Sequence, residues 1–459
     1  MANARTAMER SNTHSRTHEE GGKKMKRKVQ IAGAVAVALT MAAGLTTVSP
    51  AQAASNQVVN LITWVNPPAV AVLKKIDAEF EKAYPGYTVN YQTTADVTGG
   101  YATAQQTAVQ GGTADIMGTF PFQPMPFTMN QNTLSPTQLW AVNKVFAPLN
   151  GQPWVKNFNS SILSNEVYKG KLYGLVTGVY QDGVFYNKTI FAKYHLSPPK
   201  TYNQFIHIAQ VLSAHHVVPF FDGLQNVGPL YLQFITFPLM QELWLPKVGN
   251  VNTALWTNKT KWTDPAFIKV MTRERAIMKY LEPNFTGVPW QAMPGAFANG
   301  KSAMLLDGSW DLASVVQANP HINMGYFPLP GSNNSKVNQS LLQPDLTFVV
   351  LNNSPHKAAA LKWLNFFASP KIYAQYVDAT GISPSRINGH YNGVASHTLG
   401  SWFGKGVSLA KIFPQLPGSG SYYVQPKNWW ELQLEMYQGK YTPQKVASLY
   451  QSAWNQVKK

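Results

Sequence analysis

The sequence predicts an α/β protein arranged as two lobes. Apolar, β-branched runs alternate with helical repeats from residue 58 onward, and caps and breakers punctuate the joins. The 406 residues after residue 53 also exceed the usual size of a single domain.

The amino-terminal part reads as export machinery. Met25-Lys26-Arg27-Lys28 precedes the apolar run Val29 to Leu45, and Ser49-Pro50-Ala51-Gln52-Ala53 offers the small residues of a cleavage site after Ala53. That apolar run is shorter than the roughly 20 residues a membrane span needs. Residues 1–24, with Glu9, Glu19 and Glu20, are expected to be an upstream extension from a start codon assigned too early. Residues 25–53 are then the signal peptide and residues 54–459 the mature protein.

Val58 to Trp64 (VVNLITW) reads as a parallel strand buried on both faces. Asn66 is expected to cap a helix with Pro67 and Pro68 in its first turn. Ala69, Val72, Leu73, Ile76 and Phe80 recur there at helical spacing, opposite Lys74, Lys75, Glu81 and Lys82. Tyr84-Pro85-Gly86 stops this helix before the strand Tyr87 to Thr94, which completes a βαβ unit. Ala102 to Gln110 is helix-like, Ala114 to Met117 strand-like, and Gly183 to Tyr186 a strand before a helix starting near Thr189. Ser354 and Pro355 are expected to cap and open a helix through Phe367, with Ala359, Trp363, Phe366 and Phe367 on its apolar face. Gly381 to Ser385 then forms a loop. No flexible linker separates the halves, so the chain is expected to cross between lobes more than once. Lobe one is assigned mainly to residues 54–185 with part of 311–370, and lobe two mainly to 186–310 with part of 371–459.

Composition narrows the function. The chain has 38 basic and 21 acidic side chains, of which eight and three fall in the first 53 residues, leaving a formal +12. These charges are scattered, and an exported protein does not meet nucleic acid, so a solvated surface explains them and no nucleic-acid partner is expected. The chain has no cysteine, which excludes disulfides, thiolate metal sites, a cysteine nucleophile and a lipobox anchor. Charged residues make up only 13%, so an acidic exterior is expected to cost few ion pairs.

Several segments, in order, carry a resemblance. Phe80 to Val89 (FEKAYPGYTV), Tyr168 to Leu175 (YKGKLYGL), Gly183 to Phe205 and Phe297 to Trp310 (FANGKSAMLLDGSW) are similar to stretches of the family 1 extracellular solute-binding proteins. Tyr326-Phe327-Pro328-Leu329-Pro330, His356 to Pro370 and Gly381-Ile382-Ser383-Pro384 extend the likeness over most of the mature chain. The resemblance implies a two-lobed periplasmic-binding-protein-like fold with a hinge and an interlobe ligand cleft. It also implies carbohydrate binding, delivery to the permease of an ABC importer by lobe closure, a monomer outside the cytoplasm, no cofactor and no catalysis. Many Gram-positive members are lipoproteins; this chain lacks the cysteine, which suits a periplasm. The inferred crossover is Gly183 to Lys188.

Sugars present C–H faces and hydroxyl rims, so their sites need aromatic platforms beside planar polar groups. Aromatics are 12% of the chain, with 13 Trp. Trp310 is the first candidate, because Gly308-Ser309 sets it at the end of a strand; Asp307, in the same turn, is suited to accept hydroxyl bonds or to cap. Trp64 ends the first strand, at the carboxyl edge where open α/β sheets bind ligands. Asp115, Gln181 and Asp182 stand at strand ends near the inferred hinge, as ligand contacts or as caps. Trp290 and Asp345 enter by approximate family position. Tyr422-Tyr423 and Trp429-Trp430 are aromatic pairs for which packing is the expected role.

Three other readings compete. A glycoside hydrolase needs two carboxyls at a set separation, and no local signature points to one. Ferric iron would use Tyr422-Tyr423 with His or carboxylate ligands, but His215-His216, read as strand residues, point to opposite faces. A polyamine would want several carboxylates in the cleft, and the chain has few.

Overall fold

The computed structural model describes residues 57–94, 99–120, 134–223, 225, 229–412 and 429–457, all within the compact unit Ser49–Lys459. The signal peptide and Tyr422-Tyr423 lie outside the described residues.

The first sheet opens with β1 (Val58–Trp64), α1 (Pro67–Ala83), β2 (Thr88–Thr94), α2 (Gly99–Gly111) and β3 (Ile116–Thr119). Asn66 caps α1 by accepting from the Ala69 amide, and Ala69, Val72, Leu73, Ile76 and Phe80 are buried, as the spacing predicts. β1 pairs in parallel with both β2 and β3. It is not buried evenly on both faces: Val59, Leu61 and Thr63 are sealed, while the alternating residues are only half-covered.

The chain continues through β4 (Gly174–Val176), β5 (Gly178–Asn187), α3 (Tyr202–Ala214), β6 (Phe220–Phe221), α4 (Pro229–Leu243), α5 (Pro265–Met278), β7 (Met304–Gly308), α6 (Leu312–Ala318) and β8 (Met324–Phe327). It ends with β9 (Leu341–Pro344), β10 (Thr347–Val350), α7 (Lys357–Phe367), α8 (Pro370–Thr380), β11 (Ser383–Pro384), β12 (Val407–Ser408), α9 (Trp429–Tyr437) and α10 (Pro443–Val457). The first sheet has the order β2-β1-β3-β10-β4, and α1, α7 and α8 pack on one of its faces. The second runs β12-β9-β5-β7-β6, with β8 and β11 also bonded to the long spine β5. Helices α4, α5, α9 and α10 pack together beside it. Each sheet anchors its own large apolar core, one around Trp363 and Phe367 and one around Trp244, Trp262 and Phe267, so the molecule is two-lobed.

The chain passes between sheets at Thr177, between β4 and β5, and returns at Asp345–Leu346, between β9 and β10. These crossings run antiparallel side by side: the Thr177 amide donates to Leu346 O at 2.9 Å and the Asp345 amide to Gly178 O at 2.9 Å. A third strand, β11, pairs with the start of β5. Gly183 to Lys188 is therefore not the crossover, because β5 is continuous in the second sheet. Gly183 serves packing instead: the Tyr326 ring lies where its Cβ would stand, 2.5 Å away. Residues 178–187 pair in the second sheet, Leu312, Val315, Met324, Tyr326, Phe327, Leu329 and Leu341 pack in its core, and Ile372, Tyr373, Tyr376, Val377 and Ile382 pack in the first.

Two local expectations also move. The helix expected from Ser354 begins at Lys357, because the Ser354 hydroxyl donates to Asp115 Oδ1 at 2.6 Å and accepts from the His356 amide at 2.9 Å. His215 follows the last residue of α3 as its C-cap and is not on a strand.

Candidate functional site

β3 and β10 pair with Thr119 opposite Thr347, and Thr347 also faces Val176. This register puts both crossings at the carboxyl edge of β1 and β3. Trp64, the last residue of β1, is on that edge. Its indole stacks on Phe120 at 4.5 Å between ring centroids and 15° between planes, and meets Tyr101 edge-on at 5.6 Å. Tyr101 is fixed by donating its hydroxyl to Gly118 O at 2.7 Å.

In the second lobe, β7 runs antiparallel to β5 and finishes with Gly308 opposite Asp182, so its terminal turn lies towards the crossings. Trp310 folds back over Gly308, where a Cβ would come within 1.9 Å of its ring. Only glycine leaves room for the indole there. Tyr180 meets Trp310 edge-on at 4.5 Å and 88°, and Phe234 lies at 5.5 Å. Tyr180 belongs to the packing of the first core and Trp310 to that of the second, so this contact joins the lobes.

Beneath Trp310 are three buried carboxyls. β6 lies parallel to β7 with Phe221 opposite Leu305, which sets Asp222 beside the strand that carries Asp307. Asp307 is fully buried and accepts only its neighbouring amide, Gly308 N, at 2.7 Å. Burial raises its carboxyl far above the ordinary range, and the negative charges of Asp311 and Asp222 push the same way. Asp311 is in hydrogen-bonding contact with Asp307 and is raised by burial; contact with Asp307 and the indole N–H groups of Trp290 and Trp310 partly offsets this. Asp222 is pushed up to about 8 by burial. Trp290 opens a short 3-10 turn, Trp290–Ala292. Neither indole N–H makes a well-directed hydrogen bond, and Asp311 Oδ2 also lacks one.

The remaining candidates have hydrogen-bond partners within the protein. Asp115 precedes β3 at the amino edge, opposite the end that carries Trp64. It accepts from Asn60 N at 2.6 Å and from Ser354 Oγ, and faces His356 Nδ1 at 3.2 Å. Its buried carboxylate is a cap. Gln181 is fully used: Nε2 donates to Trp402 O at 2.8 Å, and Oε1 accepts from Gly404 N and Ser383 Oγ. Asp182 is buried within β5, bound by Gln343 Nε2 at 2.6 Å and pushed up to about 8 by desolvation. Asp345 belongs to the return crossing through its backbone. The structure thus gathers Trp310, Asp307 and Trp290, sets Trp64 on the hinge-side edge of the other lobe, and leaves Asp115 apart.

Sequence reasoning missed Asp222, Asp311, Tyr180 and Phe120. For the carboxyls a signal existed: Phe220-Phe221-Asp222-Gly223 and Leu305-Leu306-Asp307-Gly308 share one pattern and lie on paired strands. Among the described residues, no group of three or more His, Cys, Asp or Glu is placed to hold a metal ion, and no helix is long and apolar enough to cross a membrane.

Residues 66–374 match the model of the bacterial extracellular solute-binding protein family. The chain belongs to this family. It is 24% identical over 335 residues to a multiple sugar-binding protein of Streptococcus mutans, covering 70% of this chain and 73% of that relative. Among solved structures, a chitin oligosaccharide binding protein superposes with a TM-score of 0.70 at 21% identity, covering 87% of this chain and 98% of the other. The solute-binding protein RafE in complex with raffinose gives 0.67 at 17% identity, with 88% and 100% covered. Family members bind solutes rather than transform them, and the family is extracellular.

Proposed function

We propose that this protein captures a neutral mono- or oligosaccharide outside the cytoplasm, after removal of residues 25–53 as a signal peptide, and delivers it as a monomer to the permease of an ABC importer. The observation that carries the reading is the placement of an aromatic platform on the hinge-side edge of each lobe, Trp64 with Phe120 and Trp310 with Tyr180. Apolar ring faces beside polar groups suit the two-sided chemistry of a sugar. The names of the relatives agree. A ligand touching both platforms makes more contacts when the lobes approach, so it draws the population towards a closed form by bending Thr177 and Asp345–Leu346.

A thermal-shift screen tests this. Raffinose, stachyose and chitotriose are set against spermidine and ferric citrate, because a ligand that binds only the native state raises its melting temperature. At least one sugar is expected to stabilise the protein, to be recovered unchanged by chromatography and to reduce the radius of gyration in small-angle scattering. Stabilisation by spermidine or ferric citrate alone, or conversion of the sugar, overturns the reading.

A further inference from the structure

In sequence the lysines are scattered, but folding sorts them from the acids. Among the described residues no Asp or Glu is exposed, and no Lys or Arg is buried. The excess of basic side chains therefore stands on the surface with few carboxylates beside it, which a formal charge counted over the whole chain understates.

One end of the second lobe gathers part of this excess. β5 leaves the crossing at Gly178 and ends at Asn187, where Met324 of β8 faces it; Met304 of β7 faces Tyr186, and Phe220 of β6 faces Met304. β6, β7 and β8 therefore begin at the end of the sheet remote from the crossings, and the segments that precede them collect there. Lys301 stands just before β7. Lys279 follows α5, and its neighbour Tyr280 accepts through its carbonyl from Phe220 N at 3.3 Å. Lys188 follows β5, its amide donating to Asn323 O at 2.8 Å, and opens a short helix that closes at Lys193. The next residue, Tyr194, meets the His215 ring at 4.8 Å between centroids, which brings this helix beside the end of α3. All four lysines are exposed, and the ion pairs among the described residues use Lys75, Lys440 and His356 instead. The next acid along the chain, Glu282, is half-buried and accepts from Asn284 N at 2.8 Å.

Exposed amines spread over one end of a lobe suit an extended array of phosphates, whereas a small anion needs donors that converge. The chain has no cysteine to carry a lipid anchor, and its family is extracellular. An anionic phospholipid bilayer is the phosphate array that such a protein meets beside a permease. We propose that this end of the second lobe, through Lys188, Lys193, Lys279 and Lys301, holds the protein reversibly on the anionic phospholipid surface of a membrane. The inference goes beyond the sugar reading and does not depend on the solute. β6 and β7 run from this end towards the crossings, so the docked end lies away from Trp310 and leaves the platform free.

Lys193, Lys279 and Lys301 also end or follow helices, where a cation complements the helix dipole without any partner. Co-sedimentation of the mature protein with vesicles of phosphatidylglycerol and phosphatidylcholine, at neutral pH and low salt and with no sugar present, separates the two roles. The wild type is expected to bind these vesicles, to release them as salt is added, and to ignore vesicles of phosphatidylcholine alone. Each lysine near an anionic surface strengthens binding about fivefold, so Lys188→Gln, Lys193→Gln, Lys279→Gln and Lys301→Gln combined are expected to weaken it at least about thirtyfold. Arginine at the same four positions keeps the charge and is expected to keep the binding. Lys74→Gln, Lys82→Gln, Lys144→Gln and Lys156→Gln combined remove the same charge from exposed positions elsewhere and are expected to keep most of it. Absence of wild-type sedimentation with the anionic vesicles overturns the proposal, including the case where soluble polyphosphate binds instead. Equal losses in the two glutamine variants reduce the effect to net charge and overturn it as well. So does a lower melting temperature of the first variant with unchanged vesicle binding, which leaves the lysines only their helix-end role. No outcome here touches the sugar reading, which the thermal-shift screen decides separately.

Discussion

Replacing Trp310 with alanine removes an indole that lies over Gly308 and packs edge-on against Tyr180, so it deletes a platform without opening the main core of the second lobe. Sugar affinity is expected to drop by about 1–3 kcal/mol, the scale for losing a buried aromatic contact, while the fold survives. Isothermal titration of a folded variant with unchanged affinity would assign the platform elsewhere. At the residue scale some placements were legible in the sequence and others were not. Trp310 was legible because Gly-Ser-Trp after an apolar run marks a strand end, and the glycine turns out to be required by the indole itself. The edge on which Asp115 stands was not legible, because an aspartate at a strand boundary looks alike at either edge of a sheet. Only the register, which sets Asp115 beside Asn60 and His356, shows that it faces away from the crossings.

At the scale of elements, α8 is tied to the first crossing by one hydroxyl. Tyr373 Oη donates to Thr177 O at 2.5 Å and accepts from Ser385 N at 2.7 Å, while Ser385 Oγ donates to Val176 O at 2.6 Å. Tyr373→Phe keeps the ring in the first core but leaves a buried carbonyl and amide short of a partner. It is expected to cost about 1–3 kcal/mol in urea denaturation, since orphaned buried groups lose their full solvation. A neutral result would mean that the two groups find each other or water. The helix α1 was legible to the residue, because its cap, its prolines and its apolar spacing are all local. The crossing was not. Val176-Thr177-Gly178 looks like an uninterrupted strand in sequence, and what splits it between two sheets is pairing with β10 on one side and β9 and β11 on the other, all more than 160 residues away. Gly183 to Lys188 was read as the crossover, yet it lies within β5, where Gly183 makes room for the Tyr326 ring.

For the whole molecule, the carboxyls set the response to pH. Few acids are present, and several are buried without a cationic partner. Desolvation pushes Asp77 up to about 7, and Asp182, Asp222 and Glu274 up to about 8, each only partly offset by hydrogen bonds. Their unfolded values lie near about 4. A folded value raised above the unfolded one means that the native state binds more protons between the two. The stability that these groups contribute is therefore whole below about pH 4 and is lost as pH rises towards about 8. Opposing terms are small: the ion pairs found among the described residues are Lys75–Glu79, Lys440–Glu435 and the Asp115–His356 contact, and exposed pairs contribute little. Calorimetry of the sugar-free protein is expected to show a melting temperature that falls from pH 5 to pH 8, the reverse of a protein held by salt bridges. Glu274 locates part of the slope. It accepts from Thr236 Oγ1 at 2.9 Å and Gln433 Nε2 at 3.2 Å, and Glu274→Gln preserves the neutral shape while removing the titration. That variant is expected to match the wild type at pH 5 and exceed it at pH 8. A wild-type melting temperature that climbs with pH would show that these buried carboxyls are ionised in the native state and that the native state releases protons on folding.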